Sequence, residues 1–197
     1  DGNHYPLTKS LDFSMIYTPE VTVFRGAGQD YTLMEHPFNV AVITNAALNL
    51  GGRHDIRLTP DGHMPDEAKN ITRNKIRAIL RVGLIKGHDS LVLGAFGCGA
   101  FHNPPEEMAQ LFKEVLEESE FIDRYRLILF AILSDHNDKS GNFQAFERVF
   151  DPDADIFGDV EQYSMHWSDH KDMLHDKIRK FFTRLNTEAQ IEELGKR

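Results

Sequence analysis

The sequence has little cysteine, no excess of basic residues and no long apolar run, and each of these absences excludes something. The single cysteine, Cys98, excludes an intrachain disulfide and fits a reducing compartment. The net charge is −9 at pH 7, which disfavours nonspecific nucleic-acid binding, because that binding depends on Lys and Arg neutralising phosphates. The longest apolar run, Leu127–Leu133, falls well short of the roughly 20 residues that span a membrane. We therefore expect an intracellular protein, cytoplasmic or nuclear, that binds neither membranes nor nucleic acid directly.

What the sequence does contain is an alternation of strand-like and helix-like patterns. Extended segments are predicted at Met15–Arg25 (with a break at Pro19), Phe38–Thr44, Ser90–Leu93 and Leu127–Leu133. One helix is expected to begin at Asp66 and stop at Gly87, a second to begin with Asn103 as N-cap and Pro104 at its first position, and a third to cover Asn142–Phe150. This alternation predicts an α/β fold with a mixed, largely parallel sheet.

The chain divides by composition into two regions. Residues 1–150 carry the alternating pattern, and residues 151–197 are predicted to form an acidic loop followed by a helical extension. His166 and His170 have the i, i+4 spacing that zinc can use, but no His-Glu-x-x-His motif is present, and a solvated helix face is the better interpretation. The acidic loop lacks the Gly and the closing Glu of a calcium loop. We therefore predict no metal site and no cofactor.

The segment with the clearest chemical meaning is the glycine-rich turn Gly94–Asn103, which lies directly between a predicted strand and a predicted helix. Gly94, Gly97 and Gly99 fall within six residues, and glycines allow positive φ angles and close approach of the backbone to a ligand. Successive N–H groups in such a turn form an anion-binding concavity, assisted by the following helix N-terminus. The turn lacks the Gly-Lys-Ser/Thr ending of a Walker loop, and His102 stands where the dinucleotide fingerprint needs its third glycine. These residues predict a phosphate or pyrophosphate loop, with a purely geometric turn as the alternative.

The same segment resembles a known family. The string from Gly87 to Phe101, followed by Asn103-Pro104-Pro105, closely resembles microbial-type poly(ADP-ribose) glycohydrolases. Met15–Val21, the Thr44–Gly51 loop, the helix at Arg73–Arg81 and the helix at Phe143–Phe150 resemble further landmarks of that family in the same order, although Asn45 and Ala46 depart from its Ala-Pro pair. The resemblance covers about Met15 to Phe150 and points to the second half of the family's catalytic domain.

The resemblance implies a macrodomain-like three-layer fold that binds ADP-ribose. It implies that backbone N–H groups of Gly97, Cys98, Gly99 and Ala100 surround the diphosphate, and that Phe101 packs against the ribose or the base. It places Asn49 near the adenosine end. The full set of predicted ligand-binding residues is Gly94, Gly97, Cys98, Gly99, Ala100, Phe101, Asn103 and Asn49.

The family's catalytic motifs are missing from this sequence. Family members carry a Gly-Gly-Gly stretch and a Gln-Glu-Glu triplet upstream of the strand that Met15–Val21 resembles, and the second glutamate of the triplet is the general acid. Neither motif occurs here, so no catalytic residue is predicted in this chain. Because the chain begins at Asp1, we expect an upstream or companion N-terminal segment to supply the acid and to complete the sheet.

Three functions remain open from the sequence. The first is hydrolysis of the O-glycosidic bond in poly(ADP-ribose) or in ADP-ribosylated protein. The second is a reader module that binds ADP-ribose without chemistry, and the third is a structural protein with a vestigial pocket. The expected partners are ADP-ribose, its polymer and ADP-ribosylated proteins.

Overall fold

The first element is an antiparallel hairpin. The computed structural model describes residues 14–26, 30–51, 56–132 and 141–150. In it β1 (Ile16–Arg25) pairs with β2 (Leu33–Thr44), and the register is shifted between Thr18 and Val21, around the predicted break at Pro19. Both predicted extended segments are confirmed. The second strand begins five residues before the predicted Phe38, because it pairs with β1 as far as Leu33, opposite Arg25, through a mixed segment that forms no continuous apolar run.

Helix α1 (Asp66–Ile85) follows the predicted pattern at both ends. Asp66 and Glu67 occupy its first turn, where carboxylates favour the helix dipole. The helix stops before Gly87, whose φ of +77° is a left-handed conformation that glycine adopts without strain. Its buried face is Ala68, Thr72, Lys75, Ile76, Ile79, Leu80 and Gly83.

A β-α-β unit carries the glycine-rich turn. Strand β3 (Ser90–Leu93) leads through the turn into α2 (Pro105–Leu116), and the chain then reaches β4 (Leu127–Phe130), which runs parallel to β3. The strand β4 is three residues shorter than predicted, since its ladder with β3 ends at the Leu93–Phe130 pair. The carboxyl ends of both strands therefore meet at the edge from which the turn begins, a common position for ligands in α/β sheets.

The start of α2 differs from the prediction. Pro104 is the N-cap and Pro105 the first helical residue, while Asn103 lies one position further out, is 1% exposed and makes no capping hydrogen bond. The physical reason is that Asn103 Nδ2 donates to Leu48 O, 55 residues away, and to Gly97 O, and these bonds orient the side chain away from a capping position.

The core lies where α1 and α2 pack beside β3 and β4, with the confirmed helix α3 (Asn142–Phe150) against α2. Aromatic rings join α2, β4 and α3: Phe112 meets Phe130 edge-on at 5.2 Å between centroids, and Phe130 and Phe146 are 5.1 Å apart. The buried members of the core are Leu50, Met64, Ala68, Ile76, Leu80, Cys98, Met108, Ala109, Leu111, Phe112, Val115, Phe121 and Phe146.

Ion pairs connect α1 to the end of α2 and the turn after it. Their partners are Arg73 with Glu114, Arg77 with Glu118, and Arg81 with Glu120. The hydrogen bonds that Arg77 donates to Glu118 raise the pKa of Arg77 above its ordinary value, and those that Arg81 donates to Glu120 lower the pKa of Glu120. Because these side chains are partly or well exposed, solvent screening keeps their contribution to stability modest.

Tyr125 crosses α1 at Gly83. Its hydroxyl donates to the carbonyl oxygen of Leu80, and any Cβ at position 83 would overlap that hydroxyl. Burial raises the pKa of Tyr125 to about 12. Gly83 therefore permits a close helix-to-ring contact at a position where Ala would otherwise be the better helix former.

The mixed α/β class is confirmed. Within the described ranges the sheets have two strands each, β1–β2 antiparallel and β3–β4 parallel, so the predicted largely parallel sheet is not seen there. Pairing between strands depends on contacts that a linear pattern does not contain. None of the described helices is long and apolar enough to cross a bilayer.

The described residues belong to the first of two units into which the chain divides, Asp1–Asp153 and Ala154–Arg197. The predicted acidic loop and helical extension, with His166, His170 and His175, lie outside the described residues and remain predictions. The predicted boundary at residue 150 likewise remains untested.

Candidate functional site

The glycine-rich turn is built from short local hydrogen bonds. Cys98 N–H donates to Ala95 O at 3.1 Å, and His102 N–H donates to Gly99 O at 3.0 Å. Asn103 N–H returns to Gly97 O at 3.1 Å and closes the segment. The turn is thus two consecutive tight bends, and its backbone stays next to the end of β3.

Gly97 is required at the first bend. Its φ is +75°, and an added Cβ would lie 2.5 Å from Asn103 Nδ2 and 2.6 Å from Ala47 Cβ. Both the conformation and the space exclude a side chain. Gly99 differs, because its φ is not positive and a Cβ there meets nothing within 4 Å. Gly94 is similarly open, with only Ala131 O at 4.0 Å.

Asn103 joins the turn to the loop that follows β2. Its Nδ2 donates to Leu48 O at 2.8 Å and to Gly97 O at 3.0 Å, with Phe101 O at a longer 3.4 Å. Its Oδ1 is buried and finds no hydrogen-bond partner among the described residues. The predicted ligand-binding role of Asn103 therefore coexists with a structural one, which is to connect two backbone segments 55 residues apart.

The loop at residues 45–51 is held by two further bonds. Leu50 N–H donates to Phe101 O at 2.9 Å. Gly51 N–H donates to the side-chain Oδ1 of Asn49 at 3.2 Å, a local turn typical of Asn. The structure therefore brings the two predicted ligand loops side by side, with Asn49 and the turn on the same edge.

Three consecutive exposed residues of the turn have backbone N–H groups without an acceptor among the described residues. Among the described residues, nothing accepts a hydrogen bond from the N–H groups of Gly99, Ala100 or Phe101, and all three residues are exposed. Pro104 and Pro105 carry no N–H, so the first donors offered to an anion come from the turn rather than from the start of α2. Consecutive unpaired amides of this kind bind anions.

Cys98 occupies a different position from the other predicted residues. It is 3% exposed, belongs to the core cluster, and donates its N–H to Ala95 O. In this conformation its amide is used within the turn. Phe96 packs against the core, whereas Phe101 is 37% exposed beside the open amides.

His102 is not among the ligand-binding residues predicted from the sequence. There it only distinguishes the turn from the dinucleotide fingerprint. Its φ of +54° is left-handed, and its exposed ring lies directly over Gly51, where any Cβ would overlap it. No sequence signal marks this contact, because position 51 is 51 residues away along the chain.

The two loops contain no acidic group. Neither residues 45–51 nor residues 94–104 include Asp or Glu. Glu107 lies in the first turn of α2, but its carboxylate points to the loop before α1. It accepts from Met64 N–H at 2.7 Å and contacts His63 Nδ1 at 2.8 Å. Within the described residues, no group of three or more His, Cys, Asp or Glu side chains could hold a metal ion. The arrangement can bind an anion, but the two loops supply no general acid.

Comparison with solved structures shows similarity to microbial poly(ADP-ribose) glycohydrolases. The enzyme from Deinococcus radiodurans in complex with ADP-ribose is 32% identical over 68% of this chain and 51% of its own, with a TM-score of 0.58. The enzyme from Thermomonospora curvata bound to the inhibitor ADP-HPD is 34% identical over 69% of this chain and 48% of its own, with a TM-score of 0.59. The resemblance indicated by the sequence is confirmed.

The chain spans about half the length of the structures that it matches. No protein-family model matches it, and no curated protein sequence does so.

Proposed function

From its similarity to the microbial-type poly(ADP-ribose) glycohydrolases, we propose that this chain forms the diphosphate-binding part of an ADP-ribose site. The observation that carries the proposal is the row of unpaired N–H groups at Gly99, Ala100 and Phe101, at the carboxyl end of β3. A diphosphate accepts such donors without any cationic side chain, which suits a chain with a net charge of −9. Related enzymes were crystallised with ADP-ribose and with ADP-HPD, which supports this choice of anion.

The other predicted ligand-binding residues surround this row of N–H groups in the proposed site. Gly94 and Gly97 shape the backbone, Cys98 packs beneath the turn, and Asn103 keeps the Asn49 loop against it. Phe101 offers an exposed ring next to the open amides, where it covers the ribose or the base. The macrodomain-like three-layer arrangement is part of the same proposal, with the two-stranded sheets extended by a companion N-terminal segment.

The proposed reaction is hydrolysis of the O-glycosidic bond in poly(ADP-ribose) or in ADP-ribosylated protein, in the cytoplasm or nucleus. This chain would orient the substrate through the diphosphate, and a glutamate from the companion segment would protonate the leaving oxygen. A non-catalytic reader module is the second candidate, and it is favoured by the lack of any carboxylate in the two loops.

Calorimetric titration of ADP-ribose into the chain tests the binding proposal, with Gly99→Glu as the central variant. A side chain at position 99 enters open space, so the variant should fold while its carboxylate repels the diphosphate. At a few ångströms the repulsion is worth about 1–4 kcal/mol, so affinity should fall at least about fivefold.

Two matched variants separate charge from structure. Gly99→Ala adds only a methyl group and should bind within about twofold of wild type. Gly26→Glu introduces the same charge in the hairpin, where a Cβ meets Thr32 at 3.8 Å, and should bind normally. Equal affinity of Gly99→Glu and Gly26→Glu would refute the assignment of the turn.

Release of ADP-ribose from modified protein distinguishes enzyme from reader. The chain alone should release none. A protein that joins it to an upstream segment with the Gln-Glu-Glu motif should release ADP-ribose, and replacing the motif's second glutamate with Gln should abolish release. No release by the longer protein, with ADP-ribose binding intact, would favour the reader.

A further inference from the structure

His102 is held in an uncommon backbone conformation at the border between the two ligand loops. Its φ of +54° is one that non-glycine residues adopt rarely, and mostly at functional sites or in turns. Its own N–H closes the bend that starts at Gly99, so its side chain follows directly after the open amides of Ala100 and Phe101. The backbone therefore places this side chain beside the proposed anion site.

The imidazole ring lies close to the second loop. It lies over Gly51, where an added Cβ would be 2.8 Å from His102 Cγ and 3.0 Å from Nε2. The absence of a side chain at Gly51 is what lets the ring span the gap between the turn and the loop at residues 45–51. Neither ring nitrogen has a hydrogen-bond partner among the described residues, although the ring contacts Gly51.

We infer that His102 contacts the ligand of this site by donating an imidazole N–H to its diphosphate. The inference rests on the proposed ADP-ribose function and adds a side-chain donor to the backbone donors at Gly99, Ala100 and Phe101. Because the ring contacts Gly51, its donor lies between the two ligand loops, where the diphosphate is proposed to bind. Neither loop contains Lys or Arg, so no Lys or Arg side chain of these loops competes with His102 for the diphosphate.

Titrations of ADP-ribose, ADP and adenosine into the full chain and its variants test this role, by calorimetry for the first two and by NMR at millimolar concentration for adenosine. His102→Asn keeps a residue that tolerates positive φ but removes the ring. His102→Gly removes the side chain and relaxes the backbone. His36→Asn is the matched control, since His36 lies in β2 with a side chain that is 91% exposed.

Both position-102 variants should weaken the binding of ADP-ribose and ADP by about tenfold or more, the effect of one charge-assisted hydrogen bond. The affinity for adenosine should stay within about twofold of wild type in both variants. His36→Asn should change the affinity for none of the three ligands. Urea unfolding of each variant should show that the fold is retained.

Three outcomes would overturn the inference. Unchanged affinity for ADP-ribose and ADP in both variants would remove His102 from the site while leaving the proposed function intact. An equal loss of affinity for adenosine would show that His102 acts through the structure of the loop or through packing against the base, and not through the phosphates. If the wild-type chain bound no ADP-ribose, the proposed function itself would fail, and the inference with it.

Discussion

Replacing Asn103 should both destabilise the protein and separate its two ligand loops. In Asn103→Ala the two well-formed bonds, 2.8 Å to Leu48 O and 3.0 Å to Gly97 O, are lost at about 1 kcal/mol each. Gly97 O keeps its bond from the backbone N–H of residue 103, whereas Leu48 O is left without its donor. The unpartnered Oδ1 is removed at the same time, which offsets part of the loss, so we expect a net cost of about 2 kcal/mol.

Asn103→Asp is the sharper variant because it keeps the shape and changes only the donor. Whichever way the carboxylate turns, an oxygen takes the place of Nδ2 and faces carbonyl oxygens in a site that is 1% exposed. A buried, unpaired charge makes this variant worse than Asn103→Ala, by about 2 kcal/mol or more. The deficit should decrease as the pH falls, because a protonated carboxyl regains a donor and loses its charge.

Urea unfolding followed by circular dichroism measures both variants, and Asn39→Ala is the control. Asn39 is an exposed amide in β2 that accepts a 2.8 Å bond from Thr22, so its loss should cost less than about 0.5 kcal/mol. ADP-ribose affinity should fall in both Asn103 variants, since the loop at residues 45–51 loses the Asn103–Leu48 bond to the turn and keeps the Leu50–Phe101 bond. The reasoning is refuted if Asn103→Ala is as stable as wild type, or if Asn103→Asp is no worse than Asn103→Ala at pH 7.

Three further predictions concern glycines and a tyrosine. Gly97→Ala should lower the free energy of unfolding by about 2–4 kcal/mol, because its backbone is strained in the left-handed region and its methyl group overlaps Asn103. Gly99→Ala should stay within about 0.5 kcal/mol of wild type. Equal stabilities of the two variants in urea would contradict the geometry of the turn. Gly83→Ala should cost about 1–3 kcal/mol despite the helix preference of Ala, because its methyl group overlaps the Tyr125 hydroxyl, and combining it with Tyr125→Phe should recover part of that loss. The pKa of Tyr125 is about 12 in the folded state, against an ordinary value of 10.0. The contribution of Tyr125 to the stability of the fold is therefore fully present below pH 10 and is lost as the pH rises toward 12. The stability advantage of wild type over Tyr125→Phe should therefore shrink by about 1–2 kcal/mol over that range, after allowing for partial exposure; a constant difference would contradict it.

Local patterns were sufficient for several elements. The helix from Asp66 to its stop before Gly87 and the strand Ser90–Leu93 have the predicted positions, because apolar periodicity, acidic first-turn residues and a terminal glycine act within a few residues of one another. The strands Leu33–Thr44 and Leu127–Phe130 were predicted with less accurate ends, because pairing with a distant strand decides where a ladder stops.

Asn103 shows most clearly where local reasoning fails. The residue before a proline-led helix start is a good N-cap by every local criterion, yet its amide instead bonds to Leu48 O, 55 residues away. The N–H of Cys98 bonds to Ala95 O within the turn, and its contact with a diphosphate stays a prediction.

The sequence by itself determined the order of strands and helices, the glycine-rich turn after β3 and the resemblance to a family of glycohydrolases, because these reside in residues close together along the chain. Only the tertiary structure decided which amides of the turn remain open, which residue joins the two loops and where the ring of His102 lies. These depend on backbone segments that meet in space, and hydrogen bonds between such segments leave no periodic trace in the sequence.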